Sequence, residues 1–297
     1  MYRRHTGYSP SVRVCSLLPS ATEIVGALGL TDSLVGVSHE CDWPPDARRL
    51  PTVTASRVDT TTLASAEIDT AVRDALADGL PLYAVDAEVI EQLAPDLIVT
   101  QDTCAVCAVS TADVREVCLV QADVLSLDAR SIAGIEESVE VLAAALGVPE
   151  RAEPVVAEMR RGIRETNDRV TGLPRKRVFM AEWLDPPFAA GHWVPEMVEL
   201  AGGIEVLGRA GEPSYPTTWE EVAERDPDLV VVAPCGFDAE RAAAEARKHV
   251  LPARAFAVDA NAYYSRPAPR IADGIAQLAF LLHPEAAPDP GLPQIEL

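Results

Sequence analysis

The sequence predicts an α/β fold of two Rossmann-like lobes, and three observations carry that prediction. Short apolar runs alternate with helical patterns along nearly the whole chain. Two blocks of sequence recur in the same order in the two halves, and one long helical pattern separates the recurrences.

In chain order, the apolar runs occupy residues 12–18, 33–37, 97–100 and 122–127, then 177–181, 229–233 and 255–258. Runs apolar on both faces are typical of parallel strands covered by helices. Between the two sets, residues 149–172 read as a helix: Pro149 can open it, Gly172 can close it, and Val155, Met159, Ile163 and Val170 recur near helical spacing. At 1.5 Å per residue it is about 35 Å long, enough to bridge two lobes. Asn167, Asp168 and the charged residues of its other faces suit a surface strut.

The recurrences are specific. Thr22-Glu23-Ile24-Val25, then Gly29, matches Pro195-Glu196-Met197-Val198, then Gly202, each downstream of an Arg-Val strand start at Arg13-Val14 and Arg177-Val178. Pro95-Asp96-Leu97-Ile98-Val99 matches Pro227-Asp228-Leu229-Val230-Val231. Two copies of one α/β unit explain both matches. The division expected is an N-terminal lobe over 12–130, a connecting helical segment over 131–172 and a C-terminal lobe over 173–283, with tails at 1–11 and 284–297.

At 297 residues the chain is long enough for about two domains. Hydrophobic residues make up 48% and charged residues 24%, so it can bury a core. A net charge of −21 repels phosphate backbones and anionic headgroups, which argues against a nucleic-acid partner. No run approaches the length of a membrane span, and the first ten residues lack an apolar leader core. These features lead to the expectation of a cytoplasmic, unexported chain without membrane insertion.

Ligands of open parallel sheets bind beyond the carboxyl ends of the strands. The loops there read Ser38-His39-Glu40-Cys41-Asp42-Trp43-Pro44-Pro45 and Gln101-Asp102-Thr103-Cys104-Ala105-Val106-Cys107 in the first half. The second half supplies Glu182-Trp183, Pro187-Phe188, Gly191-His192-Trp193, Pro234-Cys235-Gly236 and Tyr263-Tyr264-Ser265-Arg266. All the tryptophans except Trp219 fall in these loops.

With these motifs the chain resembles the ABC-transporter substrate-binding proteins built on a backbone helix, and within them the vitamin B12-binding branch. The resemblance runs from Val12 to His283 and rests on Pro19 with Thr22-Glu23, Val35-Gly36-Val37-Ser38 with Asp42-Trp43-Pro44-Pro45, Pro186-Pro187-Phe188 with Gly191, and Arg266 with Pro269-Arg270-Ile271. It implies a ligand cleft between two lobes and little hinge motion. Trp43 stands where that branch has a pocket tyrosine, Phe188 matches an aromatic of the opposite lobe, and Tyr263 and Arg266 match the final pocket loop. Aromatic faces suit a macrocycle, since stacking adds about 0.5–1.5 kcal/mol beyond burial. Trp193, beside Gly191 in a loop, is read like Trp43 as pocket rather than core, and Trp183 and Glu182 join the ligand-facing set. Glu88 and Glu220 match glutamates with which exported members dock on a transporter. In a chain expected to stay unexported they are read as solvated helix residues, and transporter docking is not expected.

The thiols depart from the vitamin B12-binding pattern. Cys104 and Cys107 have the spacing that lets two thiolates share a metal, with Cys41 and His39 on a neighbouring strand-end loop. Three thiolates and an imidazole suit zinc or an iron–sulfur centre. His192 and Glu182 are candidates to complete such a site or to coordinate the cobalt of a corrinoid. Cys15 and Cys118 read as core, and Ser20 with Glu23 as a helix capping box. Two functions follow as alternatives. One is a binding protein for cobalamin, a related corrinoid or another metal-containing cofactor, held without turnover; the other is a Cys/His metalloprotein or redox enzyme.

Overall fold

The computed structural model describes residues 12–58, 60–102, 109–117 and 121–297. In the first half, β1 (Val14–Ser16) leads into α1 (Pro19–Ala27) and β2 (Leu34–Val37). Next, β3 (Thr54–Ser56) runs out to α2 (Ser65–Ala77) and β4 (Tyr83–Val85) returns. Then come α3 (Ala87–Leu93), β5 (Leu97–Thr100), α4 (Thr111–Val117), β6 (Asp123–Ser126), α5 (Ile132–Ala145) and α6 (Ala152–Val170). The second half holds β7 (Lys176–Leu184), β8 (Pro187–Ala189), α7 (Val194–Leu200), β9 (Gly203–Glu205), β10 (Tyr215–Pro216), α8 (Trp219–Glu224) and β11 (Leu229–Val232). It closes with α9 (Ala239–Ala246), β12 (Ala255–Val258), α10 (Ala260–Tyr263), α11 (Ile271–Leu282) and β13 (Gln294–Glu296). Every apolar run of the sequence contains a strand, in an α/β arrangement as expected.

The strands form two main sheets. One, in the order β2-β1-β5-β6, is parallel throughout. The other runs β10-β8-β7-β11-β12-β13, with β9 added parallel to β7. Its β7, β11 and β12 are parallel, and antiparallel β8 and β13 flank them.

The duplication is carried into the hydrogen bonding. The Arg13 backbone N–H donates to Asp96 Oδ2 at 2.8 Å, and the Arg177 backbone N–H donates to Asp228 Oδ2, also at 2.8 Å. In return, the Asp96 and Asp228 N–H groups donate to the Arg13 and Arg177 carbonyls. Each guanidinium caps the helix preceding the Asp: Arg13 donates to the carbonyls of Leu93 and Ala94, Arg177 to those of Arg225 and Asp226. Ala94 and Asp226 both take the left-handed conformation, with φ of 42° and 47°. The clasp sets Val14 opposite Leu97 and Val178 opposite Leu229, the same register in both sheets.

The chain divides into two compact units, but not at the boundaries a linear reading suggests. The first comprises Met1–Ser56, Tyr83–Leu127 and Glu140–Ala152; the second comprises Arg57–Leu82, Asp128–Val139 and Glu153–Leu297. Side-chain burial explains both departures. Met159, Ile163 and Val170 of α6 share a core with Val178, Met180 and Leu278, so this helix is part of the second unit rather than a connector. It is also shorter than residues 149–172, because a 3-10 turn at Pro149–Arg151 precedes it. Asn167, expected on a free surface, donates from Nδ2 to the Leu200 carbonyl at 2.9 Å.

The excursion that carries α2 places Ile68 in a core with Phe179, Val230 and Ala243, with Val58, Leu63 and Val72 packed against it. Polar bonds hold it there as well. Ser65 donates through N and Oγ to Glu245 Oε2, and Arg241 Nη2 donates to the Leu63 carbonyl. The expected capping box at Ser20 and Glu23 does not form. Proline prefers the first helical turn, so α1 starts at Pro19 behind Leu18, which places Ser20 and Glu23 inside the helix, both buried.

The equivalence of the two clasps is testable. Asp96→Ala and Asp228→Ala should each lower unfolding free energy by about 1 kcal/mol, the usual worth of a solvent-accessible hydrogen-bonding group. Urea denaturation of the two variants checks this, and the losses should be nearly equal.

Candidate functional site

In the first unit, a run of hydroxyls organises the loops beyond β1 and β2. Thr22 Oγ1 donates to Ser16 Oγ at 2.8 Å, and Ser16 Oγ donates to the Leu18 carbonyl. Cys41 Sγ lies 3.0 Å from Thr22 Oγ1 and is buried. The His39 ring turns to other groups: its Nδ1 is 2.7 Å from Thr54 Oγ1, and its ring faces Tyr83. Burial keeps the imidazole low in pKa, with the nearby Glu40 acting in the opposite direction.

Cys104, Cys107 and Cys118 lie outside the described residues. Among the described residues, no group of three or more His, Cys, Asp or Glu is placed to hold a metal. The described thiol and imidazole of the expected metal set therefore have hydroxyl partners of their own. Cys15 is core, as read. Trp43 differs from these in its exposure. It is 43% exposed, and it is the only aromatic ring among the exposed large hydrophobic side chains described.

In the second unit, the strand-end loops separate structural residues from available ones. Trp193 is 8% exposed and donates from Nε1 to the Tyr264 carbonyl at 2.8 Å, so it is core rather than pocket wall. Tyr264 is itself fixed by its hydroxyl, which donates to Gln277 Oε1 at 2.8 Å. Trp183 donates to the Ser65 carbonyl and packs edge-on against Phe237, which makes it an anchor for the α2 excursion. Phe188 is half-buried, opposite Trp183 in the β7–β8 pairing. Arg266 is buried and donates to Asn261 Oδ1 at 3.0 Å. Tyr263 is half-buried with the Arg270 guanidinium over its ring, and burial raises its pKa.

His192 is the most unusual of the expected residues. Its φ of 49° is rare for a side chain of that size. Its ring stacks on Trp193, with centroids 5.7 Å apart. Its Nε2 is buried with no hydrogen-bond partner among the described residues. Burial, and secondarily the positive charge of Arg130, lower its pKa, so the imidazole is neutral near pH 7. Glu182 supports the same loop by accepting from the Gly191 N–H at 3.3 Å.

The sequence reading missed Glu205. Its carboxylate accepts from three backbone amides, those of Met180, Leu207 and Gly208. No motif marks such a residue, because all its partners are backbone. Glu88 and Glu220 are exposed, as read, and occupy matching places in the first turns of α3 and α8.

Two α/β units, each with parallel strands at the centre of its sheet and aromatic and polar groups on the loops beyond them, match the arrangement of small-ligand-binding α/β proteins. The chain belongs to the periplasmic binding protein family, whose pattern matches residues 14–260. The vitamin B12-binding protein of Vibrio cholerae serotype O1 is 23% identical over 284 residues, covering 92% of this chain and 90% of that one. The vitamin B12-binding protein of Yersinia pestis is 26% identical over 223 residues, covering 74% and 69%. Among solved structures, a periplasmic heme-binding protein from Pseudomonas aeruginosa superimposes with a TM-score of 0.71 at 23% identity, covering 93% and 94% of the two chains. The periplasmic vitamin B12-binding protein of Vibrio cholerae gives 0.63 at 22%, covering 91% and 96%. Among the described residues, no helix is long and apolar enough to cross a membrane.

The different roles of Trp43 and Trp193 predict different costs. Trp193→Phe leaves the Tyr264 carbonyl without its buried donor and should cost about 1–3 kcal/mol of stability. Trp43→Ala should change stability by no more than about 0.5 kcal/mol, as an exposed site does. Thermal and urea unfolding of the two variants provide the comparison.

Proposed function

We propose that the protein binds a metal-bearing tetrapyrrole, a corrinoid or a close relative, reversibly and without turnover, on the loops at the carboxyl ends of its sheets. The observation that carries this reading is Trp43, an indole 43% exposed on a strand-end loop. Such a face costs solvation in the free protein and is stabilised by stacking on a flat ligand. The names of the relatives support the choice of ligand class, since they bind vitamin B12 or heme. His192 adds a neutral imidazole whose buried Nε2 suits an axial position on a chelated metal.

Absorption titrations with cyanocobalamin, dicyanocobinamide and hemin test the reading. At least one should bind with a spectral shift, and Trp43→Ala should weaken it by about 1–3 kcal/mol, roughly five- to 150-fold. His192→Ala should remove the part of the shift that reports axial coordination. A protonated imidazole has no free lone pair. Coordination should therefore persist at neutral pH and be lost as the pH falls below the ordinary histidine range. Failure of all three compounds to bind overturns the proposal.

A further inference from the structure

We propose that Glu205 is a positioning residue for ligand binding, whose carboxyl group clamps the turn 206–208 onto β7 and thereby sets the loop that carries Gly191 and His192. The inference rests on the reading that this loop meets the ligand. Glu205 is the last residue of β9, in register with Val178, and the Val206 N–H still donates to the Val178 carbonyl. Beyond that point the chain leaves β7. The Met180 N–H donates instead to Glu205 Oε2 at 3.0 Å, so the side chain supplies the next rung of the ladder. Its other oxygen, Oε1, accepts from Leu207 at 3.2 Å and from Gly208 at 3.0 Å.

From this turn the backbone runs alongside the His192 loop. A Cβ on Gly208 would lie 2.7 Å from the Ala190 carbonyl oxygen, so the approach admits only glycine. The Arg209 N–H donates to Ala190, the Gly211 N–H to the His192 carbonyl, and the His192 N–H to the Glu212 carbonyl at 2.7 Å. A Cβ on Gly191 would come within 2.4 Å of the Ser214 nitrogen. With backbone this close and three bonds between the segments, displacement of the turn 206–208 is transmitted to His192.

Burial pushes the Glu205 carboxyl up to about 7, while the amides of Met180, Val206, Leu207 and Gly208 act in the opposite direction. The charged groups around the neighbouring loop are Glu182 at Gly191, Arg130 near His192, and the Arg209–Glu212 pair at 3.5 Å. Because its pKa is higher in the closed turn than in solvent, protonated Glu205 favours the closed turn, and that preference is lost as pH rises through about 7. His192 acts in the opposite sense, losing coordination toward acid, so the two effects separate.

The test uses the full ligand-free chain. By NMR, the Met180, Leu207 and Gly208 amide shifts should titrate together with a midpoint near 7, and His192 signals should follow. Exchange-based opening of the turn should rise about tenfold from pH 6 to pH 8. Glu205→Gln should abolish the midpoint, and Glu205→Ala should abolish it and loosen the turn at every pH. Amides that titrate in the ordinary carboxylate range, or His192 signals that ignore the transition, overturn the proposal. The same pH series with hemin and cyanocobalamin separates the two readings. Coupled titration without binding of either probe sustains the clamp and counts against the ligand assignment. Binding that is equally tight at pH 6 and pH 8 in the wild type overturns the role of Glu205 in ligand positioning.

Discussion

Each unit depends on one constraint, the clasp between an arginine at the start of a central strand and an aspartate that precedes its neighbour. In a parallel pair nothing local sets the register, because the strands are joined by a crossover rather than a tight turn. Here the Asp96 and Asp228 side chains fix it by accepting an N–H at the start of β1 and β7, while Arg13 and Arg177 donate to carbonyls at the ends of the preceding helices. The clasp closes the amino-terminal edge of each sheet. The opposite edge, where α/β folds place their chemistry, is left to carry variable loops.

Those loops differ in stiffness for physical reasons. Around His192 the backbone is packed against a second segment and held by three main-chain bonds, so a strained residue is supported on both sides. Trp43, by contrast, keeps 43% of its surface exposed. In general, a preorganised donor limits the ordering cost of binding, and an exposed stacking surface gains from desolvation.

The strands β1, β2, β5, β6, β7, β11 and β12 were legible because their apolar runs are continuous, whereas the short β3, β4, β8, β9, β10 and β13 lie outside those runs; the duplication was legible because the clasp needs the same residue types twice. Loop chemistry was legible in kind but not in role. Trp193 beside Gly191 looks like a pocket residue until its N–H is found on Tyr264, a partner 71 residues away. The excursion carrying α2 follows the first half in sequence, yet Ile68 and Ser65 belong with Phe179 and Glu245, contacts that no periodicity encodes. Glu205 was silent because its partners are main-chain amides. The Ser20–Glu23 spacing misled because Pro19 claimed the helix start.

The central proposal, that a flat macrocycle is taken up on strand-end loops, is tested most directly by hydrogen–deuterium exchange with and without a bound macrocycle. The account predicts new protection over residues 38–45, 190–193 and 262–266, with the clasp segments at Arg13 and Arg177 unchanged. Protection confined to the clasp edges would contradict it.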